Sequence, residues 1–351
     1  MTTSMQTLEI VEPRYQKRFN PLASVMRSGS KAASHKLAKA IKRPTSYVLN
    51  SLLIRRVEFL IAEIPILGLP AALTARSFTE LCTWQFAEFA FLFFLLFNFG
   101  DLINCLCDRD TDTGDKAYLA AAVNSLGTST VHMHIAATAL AALALSVHLS
   151  IASGRLILIP CTVIGLIVAA AYSAPPVRLK SRGVWQLLWY WGGLFVAPMI
   201  FTLLFFSSNI YPLTLLVIFG FATTQTGIVL LNTCEDYFDD KHHGTKTVAV
   251  ALGLSATISL ARKMGVYGSI LLFGALGLSL GAITPFIALS FVSAISLLWF
   301  GLSQLDKKVS DLTEEEAIGL VKNAAILVPV ALTVVAWMSL SIGLLSLYCA
   351  W

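Results

Sequence analysis

Two groups of polar residues, each at the end of a long apolar stretch, have the composition and spacing of a metal site. We call them the first triplet (Asn104, Asp108, Asp112) and the second triplet (Asn232, Asp236, Asp240). Residues four apart on a helix stack along one face, so each triplet covers about two turns. The triplets are 128 residues apart, which suggests a duplicated four-helix unit.

Carboxylates in this arrangement need a counter-charge. They repel one another and lose solvation at the end of an apolar helix, so their pKa values rise unless a cation is near. Oxygen ligands without His or Cys select a hard ion, and Mg²⁺ usually shares one or two carboxylates with substrate phosphates. We therefore predict Mg²⁺ on both triplets, a bridging diphosphate, and a catalytic role for the four aspartates. Solvated loop charge is the alternative, and the repeated spacing argues against it.

Cations for a diphosphate lie nearby in the sequence. A proline-containing turn after the fourth apolar stretch carries Arg178 and Lys180, which we predict to be extended and to point the same way, towards phosphate oxygens. The predicted diphosphate-binding residues are Arg56, Lys116, Tyr172, Arg178, Lys180 and Lys246. For each cation, ordinary loop charge beside a membrane is the alternative.

Asn98 and Asp101 continue the face of the first triplet by two turns into the apolar stretch. We predict that they line the pocket of a second substrate, the acceptor. A buried hydrogen-bonded pair with a neighbouring helix is an equally good interpretation of Asp101.

The elements that must position these residues are membrane helices. Of 351 residues, 56% are hydrophobic and 13% charged, against roughly 25% charged in soluble domains. Nine apolar stretches are long enough to cross a bilayer, near residues 57–75, 84–107, 130–150, 155–172, 185–207, 211–234, 265–283, 284–303 and 323–350. No period-two alternation indicates barrel strands, so an all-α fold with nine transmembrane helices is predicted.

The placement of Lys and Arg orients these helices. With a cytoplasmic N-terminus, 23 of the 25 Lys and Arg residues fall on the cytoplasmic side, together with both triplets. The net charge of +5 therefore mostly reflects the placement of Lys and Arg on one side of the membrane. We expect the protein to have a lipid bilayer, and no nucleic acid, as its partner. An integral, multi-pass protein with a cytoplasmic active site is predicted.

Two segments differ in composition. Residues 1–50 are polar and basic, and residues 22–43 have the pattern of a basic amphipathic helix on a membrane surface. A transit peptide is the alternative, which would place the N-terminus and active site inside an organelle. Residues 51–351 form the predicted membrane domain.

At these motifs the sequence resembles the UbiA superfamily of intramembrane prenyltransferases, over about residues 55–350. The first triplet is similar to the family's first aspartate-rich motif, and the stretch from Asn232 to Gly253 is similar to its second. The turn from Tyr172 to Gly183 resembles the Tyr-Ser-x-Pro-Pro-x-Arg-Leu-Lys turn of several branches.

The resemblance implies nine helices around a central cavity, with cytoplasmic cap loops after the second and sixth spans. It also implies that Mg²⁺ on the aspartates holds the diphosphate of an isoprenoid donor, whose allylic C–O bond ionises before a lipophilic acceptor attacks. One departure concerns Lys116: many members have an Arg-Pro pair after the first motif, whereas here Lys116 leads into Ala117 and Tyr118. Contacts made by that arginine are not expected in this chain.

Three functions are compatible with these patterns. The leading one is prenyl transfer to a lipophilic acceptor, an aromatic or quinone-type ring. The second is a terpene cyclase, in which the donor's own double bond attacks the cation. Both would use aromatic faces, although interfacial anchoring also explains Trp185, Trp189, Tyr190, Trp191 and Phe195. The third is a transporter. The confinement of the charges to one membrane face argues against this function.

Overall fold

The computed structural model describes residues 47–112, 116–207, 209–279, 285–310, 312–313, 316–317, 319–321 and 328–349. Across these ranges the regular elements are all helices, and the isolated backbone bridge joins Arg182 to Lys246. The all-α prediction is therefore confirmed. The predicted surface helix at residues 22–43 lies outside the described residues, as does nearly all of the basic segment 1–50.

The helices differ widely in length, with short ones at the bundle ends. In chain order they are α1 (Tyr47–Leu53), a 3-10 turn (Val57–Phe59), α2 (Leu60–Thr74), α3 (Phe78–Leu81), α4 (Trp84–Asp108), α5 (Ala117–Leu126), α6 (Thr128–Ser153), α7 (Leu158–Ser173), a 3-10 turn (Leu179–Ser181), α8 (Val184–Leu188), a π-helical segment (Trp189–Val196), α9 (Ala197–Phe206), α10 (Pro212–Glu235), α11 (Tyr237–His242), α12 (Val248–Leu252), α13 (Leu254–Ser279), α14 (Pro285–Ser310) and α15 (Val328–Cys349).

Seven helical segments within the described ranges are long and apolar enough to span a membrane. They are Val57–Thr74, Trp84–Asp108, Thr128–Ser153, Val184–Phe206, Pro212–Glu235, Ile287–Val309 and Val330–Tyr348. The other two predicted spans are also helical, but α7 has only 16 residues and α13 carries Arg262 and Lys263. The chain is an integral multi-pass membrane protein, whereas the predicted count of nine spans is not confirmed.

Helices α10 and α13 pack with their backbones nearly touching. A Cβ atom on Gly220 would lie 2.4 Å from the Leu272 nitrogen, and one on Gly268 would lie 2.4 Å from the Thr224 nitrogen. Larger residues do not fit at either glycine unless the backbone shifts. Small residues permit this close approach in lipid, where van der Waals packing drives helix association. Helix α10, which ends within the second triplet, is therefore held tightly by its neighbour.

Helix α4, which carries the first triplet, is held by large aromatic side chains. The Phe89 ring is fully buried, stacks on Phe205 with 4.2 Å between centroids, and also contacts Phe201 of α9. Offset aromatic pairs of this kind add to the free energy of burial.

Helix α5 folds back onto the last turns of α4. Leu119 and Val123 of α5 are buried against Leu102 and Cys105 of α4. This packing fixes the start of α5, where Lys116 lies, at the end of the bundle where α4 and α10 terminate. We call this end of the bundle the acidic end.

Candidate active site

The first triplet is bonded to the turn that follows α7. Asn104 and Asp108 lie in the last two turns of α4, and the Asp112 nitrogen donates to the Asp108 carbonyl at 2.7 Å, so the winding continues past the end of α4. Lys180 Nζ donates to Asp108 Oδ2, and to Asn104 Oδ1 at 3.1 Å. Ser173 Oγ also donates to Asn104 Oδ1, at 2.8 Å.

The turn that supplies these donors is not extended, so this part of the sequence prediction is wrong. Arg178 has φ 38°, in the left-handed region that residues other than glycine seldom adopt, and Leu179–Ser181 forms a 3-10 turn. The two cations nevertheless converge on one group, although their predicted contact with phosphate oxygens stays a prediction. Arg178 Nη2 lies 3.5 Å from Asp108 Oδ1, on the carboxylate that Lys180 also contacts.

The second triplet has the same local geometry. Asn232 lies in the last turn of α10, Asp236 joins α10 to α11, and Asp240 belongs to α11. The Asp240 nitrogen donates to the Asp236 carbonyl at 2.8 Å, which keeps the two side chains one turn apart. The Thr247 side chain makes a hydrogen bond with the Asp240 carboxylate.

Two contacts bring the triplets to one site at the acidic end. Lys116 Nζ, four residues after Asp112, lies 2.7 Å from Asp236 Oδ2. The Gly183 nitrogen donates to the Lys246 carbonyl at 2.6 Å, next to the bridge between Arg182 and Lys246. The turn after α7 is thus joined to the segment after the second triplet. We call the six triplet residues together the aspartate site.

Electrostatics also indicate that the two triplets share one site. Burial, reinforced by the Asp108 carboxylate, raises the pKa of Asp112 to about 6. Burial, reinforced by Asp236, likewise raises the pKa of Asp240 to about 6. Lys116 and Lys180 oppose both increases, so the same two ammonium groups act on an aspartate from each triplet. Burial and carboxylate repulsion together outweigh these two ammonium groups, which favours a further cation.

The donor atoms of the aspartate site fit Mg²⁺. Within the described ranges, no three Asp, Glu, His or Cys side chains converge closely enough to hold a metal ion by themselves. Each triplet offers two carboxylates and one amide oxygen instead. Such partial sets suit Mg²⁺, because it retains waters and takes substrate phosphate oxygens to complete its octahedral coordination.

Tyr172 belongs to an aromatic group beside the aspartate site. Its hydroxyl shares a hydrogen bond with the Tyr190 hydroxyl at 3.0 Å, and its ring stacks on Trp189 with 3.9 Å between centroids. Gln186 Nε2 donates to the Tyr190 hydroxyl at 3.1 Å, while Gln186 Oε1 accepts from the Val248 nitrogen at 2.9 Å. We call Tyr172, Trp189 and Tyr190 the aromatic group.

The remaining predicted residues lie in different environments. The side chain of Lys246 is exposed, and its backbone makes the contact with Gly183. Arg56 Nε lies 2.5 Å from Glu58 Oε1, and the Arg56 charge acts on both Asp112 and Asp101.

A hydrogen-bonded pair with a neighbouring element was the alternative interpretation of Asp101, but Asn98 makes such a pair instead. Arg55 donates to Asn98 Oδ1, and Asn98 Nδ2 donates to the Arg55 carbonyl at 3.1 Å.

Three residues that shape the site were not predicted: Ser173, Gln186 and Thr247. Ser173 directly follows Tyr172 in the recognised turn, so its position was a usable signal. Thr247 likewise lies in the stretch from Asn232 to Gly253, so its position was also a usable signal. Gln186 contacts Val248, 62 residues away, and nothing in the local sequence indicates that contact.

Comparison with known proteins relates this arrangement to one family. A model of the UbiA prenyltransferase family matches residues 63–320. A structure of a UbiA homologue from Archaeoglobus fulgidus bound to GPP and Mg²⁺ is 17% identical, with a TM-score of 0.57, and the alignment covers 83% of this chain and 99% of that one. The same homologue bound to DMAPP and Mg²⁺ is 17% identical, with a TM-score of 0.54 and coverage of 82% and 98%.

A digeranylgeranylglyceryl phosphate synthase structure is 14% identical, with a TM-score of 0.60 and coverage of 85% of this chain and 99% of that chain. At these identities the structural similarity establishes a common fold. The curated proteins contain no match to the chain.

Proposed function

Because the chain belongs to the UbiA prenyltransferase family, we propose that it transfers an isoprenoid chain from an allylic prenyl diphosphate to a lipophilic acceptor, an aromatic or quinone-type ring. The reaction releases diphosphate and depends on Mg²⁺. The observation that carries this proposal is the contact between Lys116 and Asp236, which brings two oxygen-rich triplets and their cations to one site. The GPP and DMAPP in the solved relatives support the donor class.

The proposed chemistry divides the work between the two triplets and the surrounding cations. Magnesium held by the triplet oxygens would offset the negative charge that grows on the diphosphate as the allylic C–O bond breaks. Lys116, Arg178 and Lys180 carry several donors each, so they can contact an aspartate and a phosphate oxygen together. The aromatic group offers π faces to the allylic cation.

The placement of the protein in its membrane is part of the proposal. We place the acidic end at the cytoplasmic face, which the distribution of Lys and Arg residues in the sequence supports. If residues 1–50 are a transit peptide, the equivalent face is the interior of an organelle. Residues 51–351 are assigned to the catalytic domain.

The aspartate site is tested with matched aspartate variants. Asp108→Asn and Asp236→Asn should each lower Mg²⁺-dependent diphosphate release at least about 100-fold, since one transition-state stabilising group commonly contributes that much. Asp110→Asn and Asp239→Asn are controls, because both residues are exposed neighbours on the same segments. They should stay within about three-fold of the parent protein.

The assay uses full-length protein in nanodiscs, radiolabelled prenyl diphosphates of several lengths, and lipid extract as acceptor source. Full turnover by both triplet variants would contradict the assignment of the aspartates.

Terpene cyclisation is the second candidate, because the aromatic group would stabilise an allylic cation in either reaction. A labelled hydrocarbon or alcohol product formed from the donor alone, with no gain on adding lipid extract, would favour cyclisation. A product that forms only with the extract would favour transfer. The family match favours an enzyme over the transporter alternative.

A further inference from the structure

Gln186 links the aromatic group to the segment that follows the second triplet. It lies on α8, is 3% exposed, and precedes Tyr190 by four residues, so both side chains lie on one helix face. Its Oε1 accepts from the Val248 nitrogen at 2.9 Å, and its Nε2 donates to the Tyr190 hydroxyl at 3.1 Å. The side-chain amide is therefore hydrogen-bonded at both ends.

The chemistry of these partners fixes the orientation of the amide. A backbone N–H can only donate, so the atom that faces Val248 must be the amide oxygen. The amide nitrogen then faces the two hydroxyls, and it makes hydrogen bonds with both Tyr190 and Tyr172. An amide nitrogen carries two hydrogens and does not accept, so Gln186 acts on both tyrosines as a donor.

The hydrogen bond between the two hydroxyls has a definite direction. The Tyr172 and Tyr190 oxygens are 3.0 Å apart, and by geometry alone either could donate to the other. Tyr190 is 8% exposed, and among the described residues its proton has the Tyr172 oxygen as acceptor. If Tyr172 donated instead, the buried Tyr190 proton would lose this acceptor, which is costly. Tyr190 therefore donates to Tyr172.

Tyr172 ends this chain of donors beside the aspartate site. Its oxygen accepts from Tyr190 and from Gln186, which occupies both lone pairs. Within the part of the chain that the structure describes, no acceptor takes the Tyr172 proton. The hydroxyl is partly accessible, and the charges of Asp108 and Lys116 act on it. It is therefore able to donate to an anionic ligand in the aspartate site, but its oxygen is not free to bind a metal ion.

We propose that Gln186 is a positioning residue for the proposed prenyl transfer. Its amide sets the order of donation from Gln186 through Tyr190 to Tyr172, so that the Tyr172 proton is directed at an anionic oxygen of the bound diphosphate. Gln186 acts through the two tyrosines. This inference rests on the proposed function, because it requires a diphosphate in the aspartate site.

Gln186→Glu is the variant that reverses this order. One carboxylate oxygen can still accept from the Val248 nitrogen, so the contact with the segment after the second triplet is kept. The other oxygen cannot donate to Tyr190 and accepts its proton instead. Tyr172 must then donate to Tyr190, and its proton is withdrawn from the diphosphate.

The test is a double-variant cycle of Gln186→Glu and Tyr172→Phe. The measurement is binding of radiolabelled geranyl thiolodiphosphate, which does not react, to full-length protein in nanodiscs with saturating Mg²⁺. Gln186→Glu should weaken binding at least about ten-fold more in the parent background than in Tyr172→Phe, since a hydrogen bond to a charged group contributes that much. The new charge and any shift of the Val248 backbone would act equally in both backgrounds, so the cycle removes their effects.

Two comparisons separate this role from a purely structural one. Tyr237→Phe removes another buried phenol at the acidic end, one that accepts from Lys241 at 3.4 Å, and its effect should combine with that of Gln186→Glu additively, to within about two-fold. Gln186→Met leaves either direction of donation open, so its coupling to Tyr172→Phe should be weaker than that of Gln186→Glu. A purely structural role predicts the reverse order of harm, because Met also loses the Val248 contact.

A variant that keeps Gln186 tests the direction of donation even if a buried glutamate prevents folding. Tyr190→Phe removes one of the two donors to Tyr172, so it should weaken binding of the thiolodiphosphate. Tighter binding by Tyr190→Phe would mean that Tyr172 donates to Tyr190 in the parent protein, and it would overturn the inference.

Two outcomes distinguish this inference from the proposed function. Additive effects of Gln186→Glu and Tyr172→Phe, in a parent protein that binds the thiolodiphosphate, would overturn the role of Gln186 and leave the proposed function standing. A parent protein that does not bind the thiolodiphosphate with Mg²⁺ would overturn the proposed function, and this inference with it.

Discussion

The pair between Lys180 and Asp108 offers a quantitative test of the aspartate site. Lys180 Nζ contacts both Asp108 Oδ2 and Asn104 Oδ1, and its side chain is 11% exposed against 14% for Asp108. Replacing Lys180 with Met keeps the length and apolar stem of the side chain but removes the charge. Asp108 would then retain Arg178 at 3.5 Å as its remaining ion pair.

The expected cost follows from burial. Removing one partner of a buried ion pair costs about 3–5 kcal/mol, and we expect about 3 kcal/mol for Lys180→Met because Arg178 remains. Lys116→Met is the matched control, since Lys116 and Asp236 are 52% and 39% exposed. Exposed pairs contribute no more than about 1 kcal/mol. The two lysines therefore contact equivalent aspartates in the two triplets but should differ about three-fold in their effect on stability.

The assay is thermal unfolding of the purified protein in detergent without divalent ions, followed by tryptophan fluorescence. A second series adds Mg²⁺ and a non-reactive prenyl thiolodiphosphate. This addition should reduce the difference in stability between the two variants. Bound Mg²⁺ supplies positive charge to the carboxylate that has lost its lysine. The double variant Lys180→Met with Asp108→Asn should recover most of the loss, since both charges are then gone.

Equal destabilisation by the two lysine variants would refute the reasoning, because it would mean that burial does not set the strength of these pairs. So would a double variant that is less stable than Lys180→Met alone. That result would show that Asp108 stabilises the fold through contacts other than the lysine.

Two further predictions concern titration and packing. In the metal-free protein the pKa values of Asp112 and Asp240 are both raised to about 6, so each carboxylate is only about one-tenth ionised at pH 5. The Mg²⁺ affinity measured by calorimetry should therefore fall about ten-fold per carboxylate between pH 7 and pH 5. The folded protein binds these protons more tightly than the unfolded chain, so the stability of the metal-free protein should fall as the pH rises from about 4 to 6. A stability that increases over this pH range would contradict the raised pKa values. Gly268→Ala should destabilise the fold by about 1–3 kcal/mol through overpacking against Thr224, whereas Gly274→Ala, with open space at its Cβ, should change stability by no more than about 1 kcal/mol in thermal unfolding.

The spans and triplets were predictable because their causes are local. An apolar run in lipid must satisfy its backbone within one helix, so stretches 84–107 and 211–234 correspond closely to the observed Trp84–Asp108 and Pro212–Glu235. The seventh stretch was predicted from residue 265, whereas the helix begins at Leu254. Hydropathy marks only the apolar part of a helix and misses a polar extension such as the turn that holds Arg262.

The remaining features depend on contacts between distant parts of the chain. Lys116 meets Asp236 across 120 residues, and nothing near either residue indicates that pairing. Arg178 lies in the left-handed region where an extended turn was predicted, and its observed partner is Asp108. Its predicted contact with a phosphate oxygen stays a prediction.

The glycine contact between α10 and α13 limits how the aspartate site can widen. Sliding α10 along its neighbour would drive the Gly220 backbone against that of Leu272, which has no room to yield. The first triplet lies instead at the end of α4, whose contacts with α9 are made by the side chains of Phe89 and other aromatic residues. Any widening of the aspartate site therefore requires α4 to move relative to the closely packed pair of α10 and α13.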